Sequence, residues 1–259
     1  MNLSQTTKHK IFLLILSAIF FTAYSFLFWS IWWSLGRSSG QLIYNWPDET
    51  ANYFFARIFS QAGIFLSPEP LSAISHNLLH ARSINVLGGN LVPMTWLPGL
   101  AIFGLLIKLI GSYFVLLAIP ILALATVYII FCLSLQIFKD LRLSVVIAML
   151  MLALAPWLYF ANFPLLPNIL FIFLLSAGCL AISSSLNKID KYHWRWILGN
   201  LLLAMAMAVR PTEILWLAII ILFIVIYNRR KLTLARILWS IVIWLAVMSV
   251  FFWFNKITY

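Results

Sequence analysis

Few side chains in this sequence could do chemistry, and they fall into small groups. Asp48 and Glu49 are adjacent carboxylates in a chain with six acids in all. A carboxylate close to a bilayer must be hydrated or paired, so such a pair is a functional candidate by default. The plainer reading is that two acids in a helix's first turn favour its macrodipole by about 0.3–1 kcal/mol. His76 and His80 lie four apart, a spacing that could hold a divalent metal on a helix, with Asp48 or Glu49 as a third ligand. Surface or capping histidines are the plainer alternative. Arg82 could hold a phosphate through a bidentate contact, or be an ordinary interfacial arginine. Arg210 and Glu213 could pair with each other, or line a cavity facing the same region.

The elements that must position these groups belong to a membrane. The 259 residues are 64% hydrophobic and 9% charged, with a mean hydropathy of +1.04. Soluble domains keep about 25% charged residues, so the bilayer has to be the solvent. Backbone groups in lipid must bond internally, which leaves helix bundles or closed barrels. The apolar runs here are continuous and do not alternate, which selects helices. The net charge of +11 is no sign of nucleic acid, because the basic residues sit in short clusters between apolar runs. Cys132 and Cys179 both fall inside such runs and read as small core residues.

Spanning takes about 20 apolar residues. The candidate segments are 11–35, 94–110, 113–138, 143–162, 165–186, 196–209, 212–228 and 235–254. The first follows Lys8 and Lys10, is too long for a signal peptide and reads as a retained anchor. Segment 94–110 carries Pro93, Pro98 and Gly99 near its start and Lys108 near its end. If it lies half-sunk in the outer leaflet, eleven Lys and Arg fall on the cytoplasmic side and six outside. If it crosses, the clusters at Lys139/Arg142, Lys188/Lys191/Arg195 and Arg229/Arg230/Lys231/Arg236 all move outside. Positive residues favour the inside. The expectation is therefore an all-α polytopic membrane protein of about seven transmembrane helices. Its N-terminus is cytoplasmic, and one large external loop, residues 36–112, carries two interfacial helices.

Within that loop, Pro47, Asp48 and Glu49 mark a helix start. Ala51, Phe54, Phe55, Ile58 and Phe59 recur at helical spacing, with Asn52, Arg57, Ser60 and Gln61 on the other side. The helix should lie flat on the membrane with its apolar face down, and Gly63 should close it. The turn from Asn162 to Asn168 is also expected outside, offering amides but no charge.

The stretch Trp46-Pro47-Asp48-Glu49-Thr50-Ala51-Asn52-Tyr53, continuing to Arg57, resembles the opening of the GT-C glycosyltransferases. It is most similar to their family 39 branch, which holds protein mannosyltransferases and the aminoarabinose transferase of lipid A. Val92 to Leu100 with Leu106 to Gly111 resembles the second interfacial helix of those enzymes. Phe138 to Arg142 resembles their basic turn after the second span, and Ala206 to Thr212 their Lys/Arg-Pro-Thr segment. The ordered set covers almost the whole chain. The resemblance implies a donor sugar carried on polyprenyl phosphate and transfer to an acceptor hydroxyl on the periplasmic, lumenal or extracellular face. It implies Asp48 as general base, with Glu49 beside it. Arg82, Lys108 and Arg210 become the cations for the departing phosphate, and Tyr53 and His80 further substrate contacts. It leaves a divalent metal open, with Asp48, His76 and His80 as its ligands.

Two features depart from the family. The external turn after the third span often carries an acid there and reads Pro167-Asn168 here. The chain also ends at Tyr259, where many members continue, so a minimal enzyme, a fragment and an inactive homologue are all compatible. Two other classes compete. A lipid or solute transporter would place ionisable residues at mid-bilayer, and these lie at span ends. A non-catalytic membrane scaffold or lipid-binding subunit would need no base at all.

Overall fold

The computed structural model describes residues 46–76, 78, 80–112, 115–163, 165–187 and 193–259, with positions 8, 12, 15–17, 19, 22 and 44. Most of the first apolar run, Arg37, Lys188 and Lys191 lie outside the described residues. The chain is mostly helical and carries several long apolar helices, consistent with an all-α membrane-embedded protein.

Ten α-helices follow in order among the described residues. They are α1 Pro47–Ala62, α2 Leu71–Ile74, α3 Leu97–Ile110, α4 Val115–Phe138, α5 Leu141–Ala153, α6 Ala155–Ala161, α7 Pro167–Asn187, α8 Trp194–Val209, α9 Ile214–Asn228 and α10 Leu234–Thr258. Three of them, α4, α7 and α10, are long and apolar enough to cross a membrane. The count rises to five if each of two bent pairs crosses once: α5 with α6, bent by 64°, and α8 with the segment after it, bent by 112°. Each bend has a proline behind it. Pro156 opens α6 and Pro211 opens a 3-10 turn, Pro211–Glu213, and neither ring nitrogen can continue the preceding ladder. α3 is a shorter apolar helix of 14 residues, a rise of about 21 Å against a hydrocarbon layer of about 30 Å.

The helix ends gather on two faces. Phe138, Asn187 and Trp194, the ends of α4, α7 and α8, fall on one face together with the start of α10, where Arg236 donates to Ser185 O at 3.2 Å. Arg236 also donates to Lys231 O at 2.8 Å, which brings the end of α9 there too. The Asp140 carboxylate caps α5 on the backbone N–H groups of Arg142 and Leu143. At the opposite face lie Pro167, Arg210 and Tyr259, whose hydroxyl donates to Pro93 O at 2.6 Å.

α7 and α8 cross closely at two glycines. A Cβ on Gly199 would stand 2.5 Å from Ile182 Cγ1 and 3.0 Å from both Gly178 O and Ile182 N. Small residues at such a crossing let helix backbones approach in a solvent that gives no hydrophobic drive for association. The main core runs through Ile119, Val127, Phe131, Leu165, Ile169 and Leu174, between α4, α7 and the helices flanking them.

The loop between the first run and α4 is more structured than its sequence indicates. It holds a three-stranded antiparallel sheet, β1 Ser67–Pro68, β2 Ile84–Leu87 and β3 Asn90–Pro93, in the order β1-β3-β2. The turn from β2 to β3 is Gly88-Gly89, both at positive φ, the residues a tight hairpin requires. α1 begins at Pro47 and is closed by Gly63 in the left-handed region, as expected. Its apolar face is not free for lipid, however. Phe55, Phe65, Leu97 and Leu100 form one buried cluster between α1 and α3. Gly104 of α3 makes this contact possible, since a Cβ there would meet Ala56 O at 2.8 Å. The amphipathic helix expected to lie flat on lipid packs part of its apolar face on α3, with Phe55 and Ala56 fully covered.

Candidate functional site

The site is built on the first turn of α1. Trp46 is the N-cap and Pro47 the first helical residue, where a missing N–H costs nothing. Glu49, three residues after the cap, accepts the Trp46 backbone N–H at 3.3 Å. It is fully buried, and with Tyr53 it faces the buried Tyr44 phenol. Burial, then the neighbouring Tyr53 and Glu49, push that phenol's pKa well above its ordinary value. Glu49 therefore shapes the helix start, and its exposed neighbour Asp48 is the acid that reaches open space.

Asp48 opens into a cavity of about 770 Å³. That volume lies in the range of ordinary small-molecule sites, about 300–1,000 Å³. Its charged lining is Asp48, Arg82 and Arg210, with His80 alongside. The loop before β2 supplies His80, Arg82 and Ser83, and the Ser83 hydroxyl donates to the Asp48 carboxylate. Ser83 sits at φ +67, a backbone region that non-glycine residues seldom adopt, and this turn directs the loop toward α1.

Arg210 arrives from the far end of the chain, at the end of α8. Its guanidinium donates to the Asn168 side-chain oxygen at the start of α7 and pairs with Glu213 at 2.9 Å. It lies 5.9 Å from the centre of the Phe171 ring. Each of these contacts restricts the guanidinium to one place at the cavity wall. One helical turn below Asp48, the buried Asn52 donates to Leu165 O at 2.8 Å. That bond ties α1 to the connection between α6 and α7. Trp46, Trp96, Tyr159 and Phe160 supply aromatic wall. Trp46 stands edge-on to Phe163 at 6.3 Å, and Tyr159 packs on the same ring at 4.3 Å.

Of the residues expected from sequence, Asp48, His80, Arg82 and Arg210 share this cavity. Glu49, Tyr53, His76 and Lys108 do not line it. Tyr53 packs against Tyr44, with ring centres 5.1 Å apart. Lys108 is exposed in the last turn of α3. The pairing of Arg210 with Glu213 does occur, and it does not remove Arg210 from the cavity. Among the described residues no three His, Cys, Asp or Glu side chains form a group that could hold a metal ion. His76 and His80 are not on one helix face, because α2 ends at Ile74 and His76 has a positive φ of 51°. The spacing that made them metal candidates therefore has no helix beneath it.

Sequence reasoning does not single out Ser83, Asn52, Trp96 or Tyr159. Periodicity places Asn52 on the polar side of α1, facing water, whereas it is 4% exposed. A signal for it is present, since it lies one helical turn from Asp48 and so on the same side of the helix. Ser83 and Tyr159 have none, because both enter the site through chain folding. No family model matches this chain, no curated protein is significantly similar to it, and no solved structure is significantly similar to its fold.

Proposed function

We propose that this chain is a membrane glycosyltransferase that moves a sugar from polyprenyl phosphate to an acceptor hydroxyl. The observation that carries the reading is the meeting of Asp48 and Arg82 with Arg210, from the far end of the chain, in one aromatic-walled cavity at a helix-end face. In the reaction the acceptor oxygen attacks the anomeric carbon and its proton passes to Asp48. The bond from the anomeric carbon to the phosphate oxygen breaks, and the polyprenyl phosphate leaves with that electron pair. A single displacement inverts the anomeric centre. Charge builds on the phosphate as the bond breaks, and the held guanidinium of Arg210, with Arg82 across the cavity, answers that need. The Asn168 side-chain oxygen and the Glu213 carboxylate together hold Arg210 at the cavity wall. Ser83 would hold the Asp48 carboxylate toward the acceptor.

The membrane arrangement we propose has seven spans: the first apolar run, α4, the α5–α6 pair, α7, α8, α9 and α10. The cavity then lies on the non-cytoplasmic face. It is supported by the return of α9 to the basic face, through the Arg236–Lys231 bond, after α8 has reached Arg210. Single cysteines at His80 and Lys256 should react with an impermeant reagent from one side and those at Lys139 and Arg229 from the other. Labelling of Lys139 from the His80 side would overturn the arrangement.

The activity is tested by sugar transfer in membranes, with a panel of radiolabelled polyprenyl-phosphate sugars and the Asp48→Asn variant. A positioned general base contributes about 10²–10⁴-fold, and transfer should fall by that factor at equal expression. Transfer surviving the substitution would remove Asp48 as base. No transfer by the wild type from any donor would favour a lipid-binding scaffold.

A further inference from the structure

Asn52 brings a hydrogen-bond acceptor to the cavity that no group of the protein uses. It lies one helical turn below Asp48 on α1 and lines the same cavity, although the residue is only 4% exposed. Its partner fixes which way the amide points. Leu165 O can only accept, so the Asn52 nitrogen must face it and the oxygen turns the other way. That oxygen accepts no hydrogen bond among the described residues. An acceptor so deeply placed costs free energy when unpaired, and a hydroxyl brought in by a ligand would satisfy it.

Asp48 stands directly above with an acceptor of its own. Ser83 donates to one of its carboxylate oxygens and leaves the other. On a helix the Cβ atoms of residues i and i+4 stand about 5–6 Å apart. Two neighbouring hydroxyls of one ring, each about 2.7–2.8 Å from its acceptor, bridge such a pair. A lone hydroxyl, from a peptide serine or a lipid alcohol, would reach Asp48 and leave the Asn52 oxygen covered and unpaired. The wall beside them suits a ring as well. Trp46 and Trp96, the residues that precede α1 and α3, line the cavity and are 42% and 41% exposed. The negative face of an indole attracts the weakly positive C–H groups on the apolar face of a pyranose. We propose that the acceptor is a saccharide. Its attacking hydroxyl meets Asp48, the adjacent hydroxyl donates to Asn52 Oδ1, and the ring lies against the Trp46 and Trp96 indoles. That the saccharide is an acceptor rests on the transferase reading.

The test titrates binding by saturation-transfer NMR, with the full chain in micelles of a detergent that has no sugar headgroup. The probes are methyl hexopyranosides, their monodeoxy analogues, N-acetylserinamide and cyclohexanol. At least one hexopyranoside should bind. Removing either of two adjacent hydroxyls should weaken it at least about tenfold, since each removal leaves one acceptor unpaired. Removing any other hydroxyl should cost less. N-acetylserinamide and cyclohexanol, with one hydroxyl each, should bind at least about tenfold more weakly than the sugar. Trp96→Leu should weaken the sugar about three- to tenfold. Trp96 makes no side-chain capping bond, so the start of α3 does not depend on its indole. Hexopyranosides that bind no better than the single-hydroxyl probes would overturn the proposal. So would losses that do not fall on adjacent hydroxyls, or a Trp96→Leu protein that binds the sugar as the wild type does. The expected binding pattern without transfer from any polyprenyl-phosphate sugar would remove the transferase and keep the saccharide site. Transfer to a peptide serine would keep the transferase and overturn the saccharide acceptor.

Discussion

Replacing Gly199 with alanine tests the packing that holds the candidate site together. In an ordinary helix interior this change gains about 0.8–1 kcal/mol of helix propensity. At this crossing the new methyl would sit 2.5 Å from Ile182 Cγ1 and 3.0 Å from Gly178 O and Ile182 N. The side-chain atom can rotate away. The two backbone atoms can move only if α7 and α8 separate. Overpacking of this kind costs about 1–3 kcal/mol, and rigid backbone neighbours put it at the upper end. The net expectation is a loss of about 1–2 kcal/mol, a factor of roughly 5–30 in the folded-to-unfolded ratio. It would be read from the midpoint of helix loss on titrating dodecyl sulfate into mixed micelles. A double-mutant cycle with Ile182→Ala should return only part of the loss, because the contact with Gly178 O remains. The same two helices carry Asn168 and Arg210, so donor binding should weaken in step. A Gly199→Ala protein as stable as the wild type, or more stable, would refute the close crossing.

Asn168→Ala removes the oxygen that orients Arg210. Hydrogen bonds to charged groups contribute about 1.5–3 kcal/mol, so kcat/KM for transfer should fall by at least tenfold, with kcat carrying part of the loss because Arg210 faces the charge that builds as the bond breaks. Ser83→Ala should instead lower kcat with little effect on KM, measured by the same transfer assay, because it frees the Asp48 carboxylate to turn. Asn52→Ala leaves Leu165 O without its buried donor and should cost about 1–3 kcal/mol in the detergent titration. Lys108→Gln and His76→Gln lie off the cavity and should leave transfer within about twofold, as surface substitutions away from such features usually do in stability.

Local chemistry makes part of this protein legible in its sequence. Apolar runs declare membrane helices because lipid cannot satisfy a bare backbone, and that constraint is local to each run. The start of α1 at Pro47 and its end at Gly63 follow from a fixed proline φ and a glycine free to be left-handed. The start of α3 is likewise written in Pro98, in its first turn. Periodicity could not say what covers the apolar face of α1. Lipid and protein reward the same residues, and the close approach of Gly104 to Ala56 shows that α3 covers part of that face. Nor could spacing judge the two histidines, since a four-residue interval means one face only where a helix exists, and α2 stops at Ile74. Asp48 and Glu49 look equivalent in sequence. The capping bond to Trp46 buried one and left the other facing the cavity. The joining of Asp48 with Arg210 depended on the α7–α8 crossing and on the Asn52–Leu165 tie, contacts between residues far apart in the chain. Sequence by itself determined the solvent, the helices and the acids and bases at their ends. Tertiary structure alone decided which of those ends meet, because that rests on contacts between atoms that no sequence interval brings together.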